Sequence, residues 1–372
     1  MKLSRIILHH LRIPMKEVFK TALGTETVRD TLLVEVWGEG GEVGWGEVVA
    51  THSPWYSSET VETAWHVIRD FIAPSLRGKD VEPSTFGDEV SWIRGHRMCK
   101  AGVEFALWDL KGRLTSKPIR DLIGGVKDRV EVGLSVGVIG DFARLIKAVS
   151  EGLSKGFRRI KLKVKPGWDV DPVRAVRREF GEIPLQVDAN GSFTLTGDHV
   201  SRLKELDRYG LLMIEQPLHH EDLVKHSKLQ KMISTPICLD ESIRSALDAE
   251  AAYNLGSCRV INIKPGRVGG LAETLRIHDF WAGKGLPVWI GGMLETGVGR
   301  AFAVAAASLP SVKYPSDISP SSRFWEVDVV EPPWELRSDG TMEVPRKPGI
   351  GVEVLDKVVR RYEVKSLGIS LS

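Results

Sequence analysis

From about residue 130 onward, short and fully apolar runs alternate with stretches of helical period, and this alternation leaves few folds open. Val130–Val136, Ile160–Val164, Leu185–Val187, Leu211–Ile214, Ile237–Leu239, Val260–Ile263 and Val288–Ile290 read as seven strands buried on both faces. Between the first two, Phe142, Leu145, Ile146, Val149 and Leu153 fall on one face of a helix. Gly156, Gly181, Gly210, Gly256 and Gly285 each stand a few residues ahead of the next strand, where a helix ends in a left-handed cap. Repeated βα units specify a parallel sheet with its helices outside, and eight of them close into a barrel. The rhythm places an eighth strand around Val312–Tyr314.

Residues 1–125 do not follow this rhythm. Leu32–Trp37, the turn Gly38–Gly41 and Val43–Val49 read as a β-hairpin. Val61, Trp65, Ile68 and Ile72 then form a helical stripe, and Ala101–Leu114 carries another around Phe105, Trp108 and Leu110. The last fifty residues, broken by Gly340, Pro345, Pro348, Gly349 and Gly351, hold no further βα unit. The expected α/β architecture is therefore an α+β capping domain (1–125), a (β/α)8 TIM-like barrel (126–322) and a C-terminal segment (323–372) that returns to the capping domain. A length of 372 residues suits such an arrangement.

Composition narrows the partners. The net charge is +2 and no basic run interleaves with aromatics, so neither nucleic acid nor an anionic membrane is favoured, and a small molecule is expected. Cys99, Cys238 and Cys258 are odd in number and lack metal-ligand spacing, which reads as buried free thiols in a reducing compartment. The apolar stretch Ile6–Leu8 is too short for a signal segment or a membrane span, and the protein is expected in the cytoplasm.

Chemistry enters at the C-terminal ends of the strands, where barrel enzymes build their sites. One βα unit, 24 to 27 residues, separates each successive member of the series Lys163, Asp188, Glu215, Asp240 and Lys264. Three acids thus converge from neighbouring strands, flanked by two lysines. Converging carboxylates repel unless a cation lies between them, and hard oxygen ligands suit Mg2+ or Mn2+. The competing reading is a rim of ordinary ion pairs. To act near neutral pH, the lysines have to fall from about 10.4 toward about 7 or 8, worth about 4 kcal/mol. Lys161 shares the strand face of Lys163, so it and the metal are expected to draw Lys163 down, with Arg267 assisting at Lys264.

These residues, taken with Ile160-Lys161-Leu162-Lys163, Val187-Asp188-Ala189-Asn190, Ile214-Glu215-Gln216-Pro217, Leu239-Asp240-Glu241-Ser242, the run Asn262–Gly270 and Gly291-Gly292-Met293-Leu294-Glu295, resemble the enolase superfamily along nearly the whole chain. The similarity is to its muconate-lactonizing subgroup, and within that to the o-succinylbenzoate synthase and N-acylamino-acid racemase family. The resemblance implies Asp188, Glu215 and Asp240 as metal ligands and Lys163 and Lys264 as the acid/base pair, with Lys161, Asn190, Glu241 and Arg267 in support. Ser135, Gly291, Gly292, Met293, Trp55 and Tyr56 are implied against the substrate, although Trp55 and Tyr56 also fit ordinary surface aromatics. Loops at Met15–Thr27 and Thr51–Thr60 match those that close over the substrate. The strand that would carry a histidine base in the mandelate-racemase branch ends here in Gly291-Gly292-Met293. Ser316-Asp317-Ile318-Ser319 offers one acid where dipeptide epimerases carry two.

The implied activity is removal of a proton next to a carboxylate, giving an enolate. It would serve a dehydration in menaquinone biosynthesis, racemisation of N-succinylamino acids, or both, by a homo-oligomer. Muconate-type cycloisomerisation, another acid racemase or epimerase, and a non-catalytic ligand-binding barrel stand as alternatives.

Overall fold

The computed structural model describes residues 1–20 and 24–371. Strands β1 (Leu3–Lys20), β2 (Thr25–Gly38) and β3 (Val43–Val48) form an antiparallel meander. β1 and β2 continue their pairing through Phe19–Glu26 and Lys20–Thr25, so residues 15–20 and 25–27 belong to a long two-stranded arm, while 21–23 of the segment 15–27 lie outside the described residues. The longer helices that follow are α1 (Val61–Val67) and α2 (Arg97–Leu114). The α2 backbone lies directly on β3: a Cβ at Gly44 would come within 2.1 Å of the Ala106 carbonyl, and one at Gly46 within 2.1 Å of the Gly102 carbonyl. Only glycine permits so close an approach.

Seven parallel strands come next, β4 (Gly133–Val136), β5 (Arg159–Lys163), β6 (Leu185–Asp188), β7 (Ile214–Glu215), β8 (Ile237–Leu239), β9 (Val260–Ile263) and β10 (Val288–Ile290), neighbours in chain order. Between and after them run α3 (Phe142–Ser154), α4 (Val170–Phe180), α5 (Gly197–Leu206), α6 (Leu223–Gln230), α7 (Ala246–Leu255), α8 (Leu271–Gly283) and α9 (Gly297–Ala307). The five glycines ahead of the strands all have positive φ, between 57° and 90°.

The first apolar run is divided in two. Arg129–Glu131 pairs antiparallel with Thr341–Glu343, and only Gly133–Val136 enters the parallel sheet. The eighth position is not a regular strand: Val312 makes an isolated bridge to Val288, and the chain then reaches the other edge of the sheet. Asp317 N–H donates to the Ile290 carbonyl (2.9 Å) and Gly133 N–H to the Ser316 carbonyl (2.8 Å), which joins β10 to β4 and closes the barrel.

The chain's last strand, β11 (Glu363–Ser370), pairs antiparallel with β1, giving a four-stranded sheet of order β11-β1-β2-β3. Two carboxylates fasten this sheet and α2 to the barrel. Glu47 accepts hydrogen bonds from the amide and hydroxyl of Thr296 and the amide of Gly299 at the start of α9 (3.1, 2.7 and 2.9 Å). Glu104 accepts from Ala272 N–H (2.8 Å) at the start of α8. Each sets carboxyl oxygens against the free N–H groups of a helix N-terminus. Among the described residues, no helix is long and apolar enough to cross a membrane, and all three cysteines are buried and free.

Candidate active site

Register builds the centre. Lys163 lies opposite Asp188 on β5 and β6, and Asp188 opposite Glu215 on β6 and β7, so the three form one row. Asp240 directly follows β8 and Lys264 directly follows β9. Strand alternation turns Lys161 and Lys163 into the barrel while Ile160 and Leu162 meet the helical layer. β5 and β9 are four positions apart in an eight-position barrel, which puts the two lysines on opposite walls with the acids between them.

Asp188, Glu215 and Asp240 are fully buried, and one oxygen of each lies within 4.8 Å of the others. Lys163 Nζ is 2.6 Å from Asp188 Oδ2 and 2.9 Å from Asn190 Oδ1; the Asn190 amide in turn donates to Glu241 (2.8 Å). Gln186 and Asn262 donate to the two oxygens of Glu215 (3.0 and 2.8 Å). On the far wall Lys264 Nζ lies 2.9 Å from Asp240 Oδ2 and 3.3 Å from the Tyr56 hydroxyl, while Arg267 pairs with Asp240 Oδ1. Asn190 and Gln216, which follow two of the three acids, have φ of 43° and 37°. Such left-handed non-glycine residues are costly and gather at functional sites.

Burial drives the electrostatics. It pushes the Glu215 carboxyl up to about 8, with the Asp188 charge adding to the effect, and Glu241 to about 7, with Asp240 adding. Burial also opposes the charge on Asp240, but Lys264 and Arg267 outweigh it and hold that carboxyl well below the usual range. Three buried hard-oxygen donors make a donor set that fits a divalent cation, and Oε2 of Glu241, the residue after Asp240, lacks a hydrogen-bond partner.

Carboxylates set the charge state of two of the lysines. Burial disfavours the charge on Lys264, yet Asp240 overcomes this and holds its pKa above the ordinary lysine value; Asp317, Glu215 and Asp188 do the same for Lys161. Lys161 pairs with these carboxylates at 2.5, 3.1 and 3.2 Å. Arg267 likewise neutralises Asp240.

A cavity of about 100 Å³ opens over this centre, lined by both outer lysines, Lys161, Asn190, Ser135, Gly292, Met293, Trp55 and Tyr56. Ser135 Oγ has no hydrogen-bond partner there. Trp55 and Tyr56 therefore stand in the site rather than on an idle surface. They sit in the segment 51–60, whose ends are tied by a Thr51–Thr60 bridge, and Trp55 reaches back to Glu26 on β2 (3.2 Å). Gly291, Arg267 and Glu241 lie outside the cavity lining. Gly291 instead makes room for Asn262, whose side chain a Cβ would meet at 2.3 Å.

Sequence reasoning assigned no site role to Asp317, Gln186 or Asn262. Gln186 and Asn262 each stand two residues before a member of the key series, the same inward layer as Lys161, so the period of two carried a signal for them. Asp317 comes from the irregular eighth position. It joins Lys161 to the buried Arg159 (2.8 Å), so Asp317→Asn strips Arg159 of its carboxylate partner, while Lys161 keeps Glu215 and Asp188, and is expected to cost about 3–5 kcal/mol. Burial raises this carboxyl, but Arg159 and Lys161 prevail and hold it well below its ordinary value. Its stabilisation is therefore full above about pH 4 and is lost as the pH falls further. Urea unfolding at neutral and acid pH measures this; a neutral-pH loss under about 1 kcal/mol would remove Asp317 as the counter-ion.

Residues 5–124 match the mandelate racemase / muconate lactonizing enzyme N-terminal domain, and residues 144–358 the enolase C-terminal domain-like family. The chain is 48% identical over 358 residues to the o-succinylbenzoate synthase of Geobacillus stearothermophilus, covering 96% of this chain and 95% of that one. It is 46% identical over 364 residues to the N-succinylamino acid racemase of Amycolatopsis sp, covering 96% and 98%. The crystal structure of an enolase-superfamily protein from Listeria innocua superposes with a TM-score of 0.96 at 39% identity, over 100% of both chains.

Proposed function

Because the chain belongs to the enolase superfamily, in its mandelate racemase and muconate lactonizing enzyme family, we propose that it is an enzyme that removes the proton α to a substrate carboxylate, acting as an o-succinylbenzoate synthase and N-succinylamino-acid racemase. The observation that carries this reading is the pair of lysines on opposite walls with three carboxylates between them. The synthase activity would place it in menaquinone biosynthesis in the cytoplasm. In this reading its partner is a small-molecule carboxylate and it acts as a homo-oligomer.

Asp188, Glu215 and Asp240 would hold Mg2+ or Mn2+, which supplies electrostatic stabilisation for the negative charge that proton removal places on the substrate carboxylate. Lys163 Nζ, oriented by Asn190, takes the proton. In the dehydration the hydroxyl then leaves from the same side, and the proton held by Lys163 departs with it as water. In the racemisation Lys264 delivers a proton to the opposite face. Lys161 keeps positive charge beside the carboxylate centre, and Trp55 and Tyr56 exclude water from above.

The direct test assays dehydration of the cyclohexadiene carboxylate beside racemisation of N-succinylamino acids. Chelation is expected to lower both by at least about 10²-fold, with recovery on adding Mg2+ or Mn2+. Full activity in chelated, metal-free protein would end the metal-dependent reading. Asp188→Asn, Glu215→Gln and Asp240→Asn should each weaken metal binding, and unchanged affinity in all three would remove them as ligands.

A further inference from the structure

A second group of metal-ligating side chains lies apart from the carboxylate centre. His219, His220 and Glu221, in the loop between β7 and α6, place one ligand atom each within 4.8 Å of one another. Their donors are free. His219 uses only Nδ1, which accepts the Glu221 amide (3.3 Å), leaving Nε2 open, and among the described residues His220 and the Glu221 carboxylate make no side-chain hydrogen bond or ion pair. The two imidazoles lie with ring centroids 4.4 Å apart and planes tilted by 30°.

We propose that His219, His220 and Glu221 form a binding site for a borderline divalent transition ion such as Zn2+, distinct from the Mg2+ centre. Two imidazoles and one carboxylate are the donor set of a three-ligand zinc site with water in the fourth position, whereas Mg2+ prefers oxygen throughout. Ligand atoms around tetrahedral zinc stand about 3.3 Å apart, given bonds of about 2.0–2.1 Å, so the three side chains, now within 4.8 Å, would draw together on binding.

The loop beneath the site is anchored. Asp222 N–H donates to the His219 carbonyl (3.0 Å), Leu218 N–H to His226 (3.2 Å) and the Gln216 amide to Ser242 (2.8 Å). It also leans on the catalytic wall: a Cβ at Gly191, next to Asn190, would lie 3.2 Å from the Leu218 carbonyl and 3.6 Å from the His219 Cα. An ion here would brace the turn that carries the Lys163 partner Asn190.

Calorimetric titration of the whole protein with ZnCl2 in excess Mg2+ tests the proposal. The expected result is one zinc equivalent per chain, retained by Asp240→Asn and weakened at least about tenfold in His219→Ala/His220→Ala. The proposal is overturned if the native protein takes up no zinc, if the double variant binds it as tightly as the native chain, or if the equivalent disappears in Asp240→Asn, which would put the ion in the carboxylate centre.

Discussion

Lys163→Ala is expected to lower dehydration and racemisation alike by about 10²–10⁴-fold while the protein stays folded and still binds metal. The reasoning is geometric. Lys163 is the side chain that both meets the cavity and has an orienting partner in Asn190, itself fixed by Glu241. Its removal does not strand Asp188, which keeps Lys161 at 3.2 Å and the Asn190 amide at 3.0 Å. The loss should therefore fall on kcat, with circular dichroism and metal affinity unchanged. Dehydration retained within about tenfold would move the base elsewhere, with Lys161 the next candidate. Its three carboxylate partners argue against that role.

The Lys264→Ala variant is expected to abolish racemisation outright and to divide the exchange chemistry by face. The two lysines approach from strands on opposite sides of the barrel, so a carboxylate held at the centre presents its α-carbon between them. Racemisation needs both, whereas a dehydration confined to one face needs one acid/base group, with Lys264 contributing charge. In D2O, Lys264→Ala should still let Lys163 exchange the α-proton of one enantiomer of an N-succinylamino acid, and Lys163→Ala should exchange only the other. Nuclear magnetic resonance of the α-proton reads both. Asp240 stays neutralised by Arg267 in the variant, so the centre is not left with a bare buried acid. If either single variant exchanged both enantiomers at comparable rates, the two-base geometry would be wrong.

Much of the catalytic row was legible because a barrel strand has two constraints that leave traces in sequence. Burial on both faces makes it apolar, and its C-terminal end makes it chemical, so Ile160–Lys163 and Val260–Lys264 display core and function side by side. The traces fail where those constraints relax. Leu211–Ile214 reads as a strand, but the regular strand is only Ile214–Glu215, and the residues before it make single backbone bonds to β6, Leu212 N–H to the Leu185 carbonyl (2.8 Å) and Val187 N–H to the Met213 carbonyl (3.3 Å). Val130 and Val136 sit in one run yet serve two sheets, since the partner of Val130 is Met342, more than two hundred residues away.

The identity of the three acids and two lysines, their order, and the βα spacing that aims them at one point belonged to the amino-acid sequence alone, since strand period and unit length are local properties of the chain. Tertiary structure decided which charges face which. Lys161 is held by Asp317 from the barrel's irregular closing segment, Lys264 meets Tyr56 from the cap, and Arg267 spends itself on Asp240. Electrostatic energy depends on separation and burial in space, and neither quantity is carried by distance along a chain.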